Sequence, residues 1–425
     1  MLSAGVGVSF GYHAAMDNIT HSFVGLGVGE LLQRSLPAEP DEARQRTRHR
    51  LLLTACAAAS NFPDLDLFLT KLLPAPLGYL LHHRGHTHTL LYALPQALLL
   101  LALLWTLWPN ARRLLRESRT ARAGLGTAIV LGFGLHLSMD FLNSYGIHPF
   151  YPFDPRWFYG DVVFIVEPVF WVAFGVPLAL AIPNRPARFL ALAGLALFVL
   201  GATWRGYLGW HSLLVLALIG AAVAALRVTR RHSRRALALA AIISIGFIAV
   251  QGGASSAGRQ RIETTLQAID PASKVLDVAM TGYPAQPLCW SFVSIESNEG
   301  AGSYRLRRGM LSLAPRWLPV DACPAAFRDS DATAVAAAGI VLAAPWQGDL
   351  AMLRNLSRSD CHVNAWLRFA RMPAVTEDAA SDLRYAATPR GNFTALALSG
   401  AAREACADVP QWGYPRADLL GAGVR

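Results

Sequence analysis

Five short stretches of the chain hold the residues whose types and spacing could do chemistry. They are Asp17-Asn18-Ile19-Thr20-His21-Ser22, Asn61-Phe62-Pro63-Asp64-Leu65-Asp66, His82-His83-Arg84-Gly85-His86-Thr87-His88, the run from His136 through Asp140 to Tyr145, and Asp161 with Glu167. His and Asp dominate them, and none contains Cys. That donor set suits Zn²⁺, with Mn²⁺ or Fe as alternatives, and fits a catalytic centre better than a Cys-rich structural one. His136 and Asp140 are four apart, so one helix face offers an imidazole and a carboxylate to the same ion. Asp64 and Asp66 follow Pro63, where a turn or broken helix lets two carboxylates converge and bridge metals. Several carboxylates beside three or more His point to two or three ions. Such a cluster activates water and clamps the attacking and leaving oxygens of an ester or phosphodiester. Arg84 is expected to hold an anionic oxygen bidentately. Asp66 is expected to act as general base.

The bland readings are an interfacial His beside an apolar segment, helix caps at Asp64 and Asp66, and a solvated loop at His82–His88. Six of the 12 His fall at these positions, which weakens those readings jointly. His13, His49, His148, His211, His232 and His362 stay outside the proposed set, with His148, eight residues past Asp140, nearest to joining it.

The elements that must position these residues are apolar. The 425 residues are 53% hydrophobic and only 16% charged, and mean hydropathy is +0.34. This excludes a disordered chain, a coiled coil and an ordinary cytosolic enzyme. Thr89–Trp108 has membrane-spanning length and composition. Gly124–Leu142, Val163–Ile182, Ala187–Thr203, Leu213–Leu226 and Ala236–Val250 read as further spans. Ile19–Leu36 and Leu51–Leu69 are weaker ones, broken by Glu30 and by Asp64 and Asp66. The expected fold is therefore mainly α, a polytopic bundle of about eight spans, followed by a smaller soluble α+β domain.

The net charge of 38 − 28 = +10 sits largely in alternate loops. Arg44, Arg46, Arg48 and Arg50 form one basic group, and Arg112, Arg113, Arg116, Arg119 and Arg122 a second. Arg185 and Arg188 form a third, and Arg227, Arg230, Arg231, Arg234 and Arg235 a fourth. Basic loops mark the cytoplasmic side, so the charge is no nucleic-acid footprint. All five polar stretches then fall on the opposite, non-cytoplasmic face.

The expected organisation is residues 1–15 as a leader or mis-assigned start, with Met16 the true start, 16–251 as the membrane-embedded helical domain, and 252–425 as a soluble non-cytoplasmic domain. Gly252-Gly253-Ala254-Ser255-Ser256 reads as the linker. Ser291–Ser297 and Phe393–Leu398 read as strands, and Ala334–Leu342 as a helix or buried strand. Cys56 falls in a span. Cys289, Cys323, Cys361 and Cys406 form two disulfides in one of three connectivities, or remain buried thiols.

At these motifs the sequence resembles the YdjM-type family of inner-membrane proteins regarded as metal-dependent hydrolases. The matching pieces are Asp17 to Ser22, Pro63 to Asp66, His83 to His88, His136 to Tyr145, Tyr159-Gly160-Asp161 and Ile165-Val166-Glu167-Pro168, with Glu167 where Asp is usual. The resemblance spans roughly residues 16–250 and places the family start at Met16. The stretches Trp366 to Arg371 and Asp382 to Tyr385 are similar to an extension that some members carry. It implies His21, Asp64, Asp66, His83, Arg84, His88, His136 and Asp140 as the core positions, with His82, His86, Asp161 and Glu167 as possible additions. The His-x-x-x-Asp helix is also similar to that of the zinc-dependent phospholipase C and P1 nuclease group, which implies phosphoester chemistry. The expected partner is membrane lipid, with a lipid-like or envelope phosphoester as substrate. The rival readings are a transporter lined by His and Asp, and a scaffold in which metal only ties helix ends together. A pathway needs ionisable residues on both sides of the midplane, and here nearly all are at one end.

Overall fold

The computed structural model describes residues 9–227, 233–385, 392–398 and 409–421, with the side chains of residues 9–17 and 233 outside that description. Residues 1–8 of the expected leader lie outside the described residues, while Ser9–Ala15 are helical. The membrane half runs α1 (Ser9–Ser35), α2 (Glu42–Ala59), a 3-10 turn (Pro63–Leu65), α3 (Asp66–Thr70), α4 (Leu77–His82) and a second 3-10 turn (His86–His88). It continues through α5 (Leu90–Leu107), α6 (Pro109–Glu117), α7 (Arg119–Phe141), α8 (Pro168–Ala181), α9 (Arg185–Trp204), α10 (Trp210–Arg227) and α11 (Ser233–Ile269).

Among the described residues, five helices are long and apolar enough to cross a membrane: α5, α7, α9, α10 and α11. Eight were expected. The other three differ for identifiable reasons. α8 is apolar but only 14 residues long, and it is mostly buried among its neighbours. α1 buries Glu30 and Gln33, and α2 opens with Glu42 and four Arg, of which Arg48 is fully buried against Glu39 and Gln33. The expected span Leu51–Leu69 breaks at Ser60, because Pro63 opens a new turn that runs directly into α3.

Close helix contacts locate the site. A methyl group at Gly25 of α1 would lie 2.6 Å from the Ser60 hydroxyl, and one at Gly132 of α7 would lie 2.4 Å from the Ala59 Cβ. Only a missing side chain allows such approach. α1 and α7 therefore both press against the C-terminal end of α2, His21 on one and His136 on the other.

The C-terminal part contains an antiparallel sheet in the order β1 (Lys274–Tyr283), β2 (Gln286–Asn298), β3 (Ser303–Ser312), β5 (Ile340–Leu342) and β4 (Ala334–Ala337), with β6 (Trp346–Asp349) also on β3. A smaller sheet joins β7 (Pro373–Val375), β8 (Ala379–Asp382) and β9 (Leu396–Ala397). Helices α12 (Leu350–Ser359), α13 (Cys361–Leu367) and α14 (Ala417–Leu420) complete it. Ser291–Ser297 lies in β2, Ala334–Leu342 is the β4–β5 hairpin, and of Phe393–Leu398 only Leu396–Ala397 is strand.

The expected linker is not a break. Residues 252–256 lie inside α11, which continues to Ile269 and packs Ile262 and Leu266 against Val278, Met280 and Trp290 of the sheet. Gly252 and Gly253 face open space, and the close approach to the sheet comes later, at Gly258, where a Cβ would meet Leu311 and Met280 at 2.8 and 2.9 Å. The core of the C-terminal part also takes in Leu80, Leu81, Tyr145 and Trp157 from the membrane half, so the two halves share one apolar interior. Cys289 and Cys323 form a disulfide. Cys361 is disulfide-bonded as well, Cys406 lies outside the described residues, and Cys56 is a buried free thiol.

Candidate metal centre

Four short elements deliver the side chains. The turn after α2 supplies Asp64, and α3 supplies Asp66. The loop after α4 supplies His83, Arg84 and His88, and the last turns of α7 supply His136 and Asp140. The loop is held tightly: Arg84 adopts a positive φ of 56°, and a Cβ on Gly85 would sit 2.7 Å from the His82 carbonyl. Gly is therefore required beside Arg84.

Asp64, His88, His136 and Asp140 place one ligand atom each within 4.8 Å of one another, and Asp64, Asp66 and His83 form a second such group. All six are buried, and Asp64 belongs to both groups.

The protonation pattern supports a cation in the first group. His136 Nδ1 lies 2.8 Å from the Ser60 carbonyl. A carbonyl only accepts, so the proton sits on Nδ1 and the Nε2 lone pair faces the cluster. Thr87 donates its hydroxyl to Asp66 Oδ2 at 2.6 Å, so its oxygen accepts from His88 Nδ1 at 2.9 Å. His88 then also presents an Nε2 lone pair. The two Nε2 atoms are 3.0 Å apart. Asp64 Oδ1 lies 3.2 Å from His88 Nε2, and Asp140 Oδ2 lies 3.0 Å from it. Four acceptors converging in a buried place repel one another unless a positive charge sits among them. The surroundings thus favour positive charge, and the donor set fits a divalent ion.

His21 joins the edge of this group. Its Nε2 is 3.3 Å from Asp140 Oδ1, and its ring stacks on His136 at 4.3 Å. In the second group His83 Nδ1 is 3.0 Å from Asp66 Oδ1.

Arg84 differs from expectation. Its guanidinium is buried, 2.9 Å from Asp140 Oδ1, and it donates to the Asp140 carbonyl and to Asn143 Oδ1. It lies over the Tyr145 ring at 5.0 Å. This arrangement orients Asp140 and balances its charge, and it does not present a bidentate fork to an incoming anion.

The four possible additions do not join either ligand group. Glu167 is fully buried and accepts from the Val169 and Ala285 amides, capping α8 and anchoring the β1–β2 turn. Asp161 pairs with Arg371 and Arg259 of the C-terminal half. His86 packs on Trp412 at 4.8 Å, and half-buried His82 lies outside both groups. His148 is buried with its ring 3.8 Å from that of Trp412 and 4.4 Å from that of Trp157. Burial, then the charges of His88 and His86, press its pKa well below the usual value. It is an aromatic-packed neighbour of the site and not a ligand of either group.

Sequence reasoning missed the Ser60 carbonyl, Thr87, Asn143 and the aromatic cover from Phe369, Tyr385 and Trp412. Thr87, between two His, was the one carrying a visible signal. A backbone carbonyl and residues more than 200 positions away carry none.

Comparison with known proteins supports this membrane half. The chain is 25% identical over 158 residues to "Uncharacterized protein YfhP" of Bacillus subtilis (strain 168), a match covering 37% of this chain and 44% of that protein. The chain thus spans less than half the length of that relative. No solved structure matches, so the similarity to the phospholipase C and P1 nuclease group gains no support from one. Over residues 16–210, which include every candidate ligand, the chain matches the YdjM inner membrane protein family.

Proposed function

We propose that this protein is a multi-pass inner-membrane, metal-dependent hydrolase acting on an ester, namely a phosphoester of a lipid or envelope component. The observation that carries the reading is that Asp64 belongs to two buried ligand groups at once. A carboxylate common to both groups could bridge two ions held side by side, as in two-metal sites. Divalent ions, Zn²⁺ first, would lower the pKa of water and neutralise charge developing on the ester oxygens. Asp64, His88, His136 and Asp140 would hold one ion, and Asp64, Asp66 and His83 the other. Thr87 orients Asp66, which we assign to accept the proton released from water. Arg84 and His21 orient Asp140. The burial of these side chains strengthens each of the electrostatic contacts.

We further propose that the site and the C-terminal domain face the periplasm. α5 begins and α7 ends at the ligands, whereas Arg112, Arg113, Arg116, Arg119 and Arg122 lie between the other ends of the same helices. The positive-inside rule makes the Arg end cytoplasmic. A topology reporter fused after Arg425 checks this, and cytoplasmic activity there refutes it.

The test of function is elemental analysis of purified protein with hydrolysis assays on phosphodiester, phosphomonoester and lipid panels. Wild type should carry stoichiometric metal, while His136→Ala loses metal and Asp66→Asn loses turnover. Protein purified without stoichiometric metal refutes the hydrolase reading.

A further inference from the structure

We infer that the substrate reaches the metal centre sideways from the bilayer across a lip made by α3, and is therefore a membrane amphiphile with an anionic phosphoester headgroup. This rests on the hydrolase reading above. Its grounds are the exposure pattern around the centre.

The centre is closed except on one side. His21, His88, His136 and Asp140 are fully buried, while Asp64, Asp66 and His83 keep 5–6% exposure. The residual exposure is thus confined to Asp64 and Asp66 at the start of α3 and to His83 beside them. Over the loops, the described part of the C-terminal domain forms a roof. Trp412 packs on His86 and His148 and donates its indole N–H to the Leu81 carbonyl. Phe369 and Tyr385 pack on Tyr145. Phe393 packs on Tyr79, which stacks on His83. Arg384 donates to the Ser144 carbonyl.

The outer face of α3 is the reverse of a soluble surface. Leu65, Phe68, Leu69 and Leu72 are 49%, 67%, 64% and 81% exposed. Phe68 and Leu69 lie in α3 and Leu65 and Leu72 flank it, while Asp64, Asp66 and Thr70 are buried on the other side. A contiguous exposed apolar patch marks an interaction surface.

The occupant follows from continuity. Asp66 is hydrogen-bonded to Thr87 and Asp64 to His88, which ties the turn and start of α3 to the 3-10 turn that leads into α5. There Leu90, Leu91 and Leu94 are exposed on a membrane-length helix that buries little of its surface. The α3 stripe therefore extends the lipid-facing surface of α5 to the mouth of the site. Lys71, exposed at the end of the lip and 5.8 Å from the Phe68 ring, is one of two Lys in the chain. A long cationic side chain beside an apolar face reaches headgroup phosphates.

The test has two arms. In a Cys56→Ala background, Phe68→Cys and Leu72→Cys are labelled with bimane in phosphatidylethanolamine/phosphatidylglycerol vesicles, with Leu94→Cys as the lipid-facing reference. Nitroxide carried near the lipid headgroup should quench positions 68 and 72 as it does 94. Quenching by aqueous iodide without quenching by nitroxide lipid overturns the lip. In the second arm, Phe68→Ser/Leu72→Ser should lower the ratio of vesicle-lipid hydrolysis to water-soluble phosphodiester hydrolysis by about tenfold or more. An unchanged ratio overturns lateral entry even where the lip is immersed. A wild type that hydrolyses neither ester refutes the hydrolase reading and the substrate inference with it, while the quenching result stands on its own.

Discussion

Gly132→Ala is the sharpest test of how the fold positions the centre. Gly132 lies about one helical turn before His136. A methyl group there would meet the Ala59 Cβ at 2.4 Å, the Cys56 carbonyl at 2.8 Å and the Ser60 amide nitrogen at 3.1 Å. Carbon atoms rest at about 3.5–4.0 Å, so α7 and α2 must separate locally by roughly 1 Å. The His136 Nδ1 contact to the Ser60 carbonyl is 2.8 Å, and that displacement carries it to about 3.8 Å, outside hydrogen-bond range. A ligating His that loses its outer partner binds metal about 10–100-fold more weakly. Overpacking adds a stability cost of about 1–3 kcal/mol. Metal titration of purified protein in detergent, with thermal unfolding of the same samples, measures both. Ala59→Gly added to the same chain removes the nearest clash but leaves the Cys56 carbonyl, so the double variant should regain part of the affinity. If Gly132→Ala keeps wild-type metal affinity and midpoint, or Ala59→Gly brings no recovery, the convergence of α1, α2 and α7 does not position His136.

Asp140→Asn removes the carboxylate 2.9 Å from the buried Arg84 guanidinium, which should cost about 3–5 kcal/mol in chemical denaturation; a loss near zero would mean that the pair carries little. The Cys289–Cys323 bridge closes a separation of 34 residues, so Cys289→Ala/Cys323→Ala should lower C-terminal domain stability by up to about 4 kcal/mol, read as faster limited proteolysis. Burial acts to raise the Asp277 pKa, but Arg371, then Arg416 and Arg259, hold that carboxyl well below its usual range. Its stabilisation is therefore complete above the unfolded carboxylate value of about 3.9 and is lost as pH falls through the lower folded value. Wild type should loosen its C-terminal domain at strongly acid pH, and Asp277→Asn should flatten that dependence, both followed by tryptophan fluorescence.

Much of the centre was legible because ligand chemistry is local. His136 and Asp140 share a face by helix spacing alone, and Pro63 announced the turn that presents Asp64 and Asp66. Glu167 was read as a possible ligand inside a span from Val163, whereas the helix starts only at Pro168 and Glu167 caps it. Asp161 carried no such signal, since its partner Arg371 is 210 residues away. The glycines and serines of residues 252–256 read as flexible by composition, yet they lie inside α11, whose later turns pack Ile262 and Leu266 on the sheet.

Residue type and spacing by themselves determined an apolar, membrane-spanning half with a His and Asp donor set gathered at one end, because burial of charge in lipid is costly and helix periodicity is fixed. Only the tertiary structure decided which donors meet, that Arg84 holds Asp140, and that the C-terminal domain roofs the site. Those outcomes depend on how closely distant helices and loops pack, and packing distances between residues far apart in the chain are written in no single stretch of it.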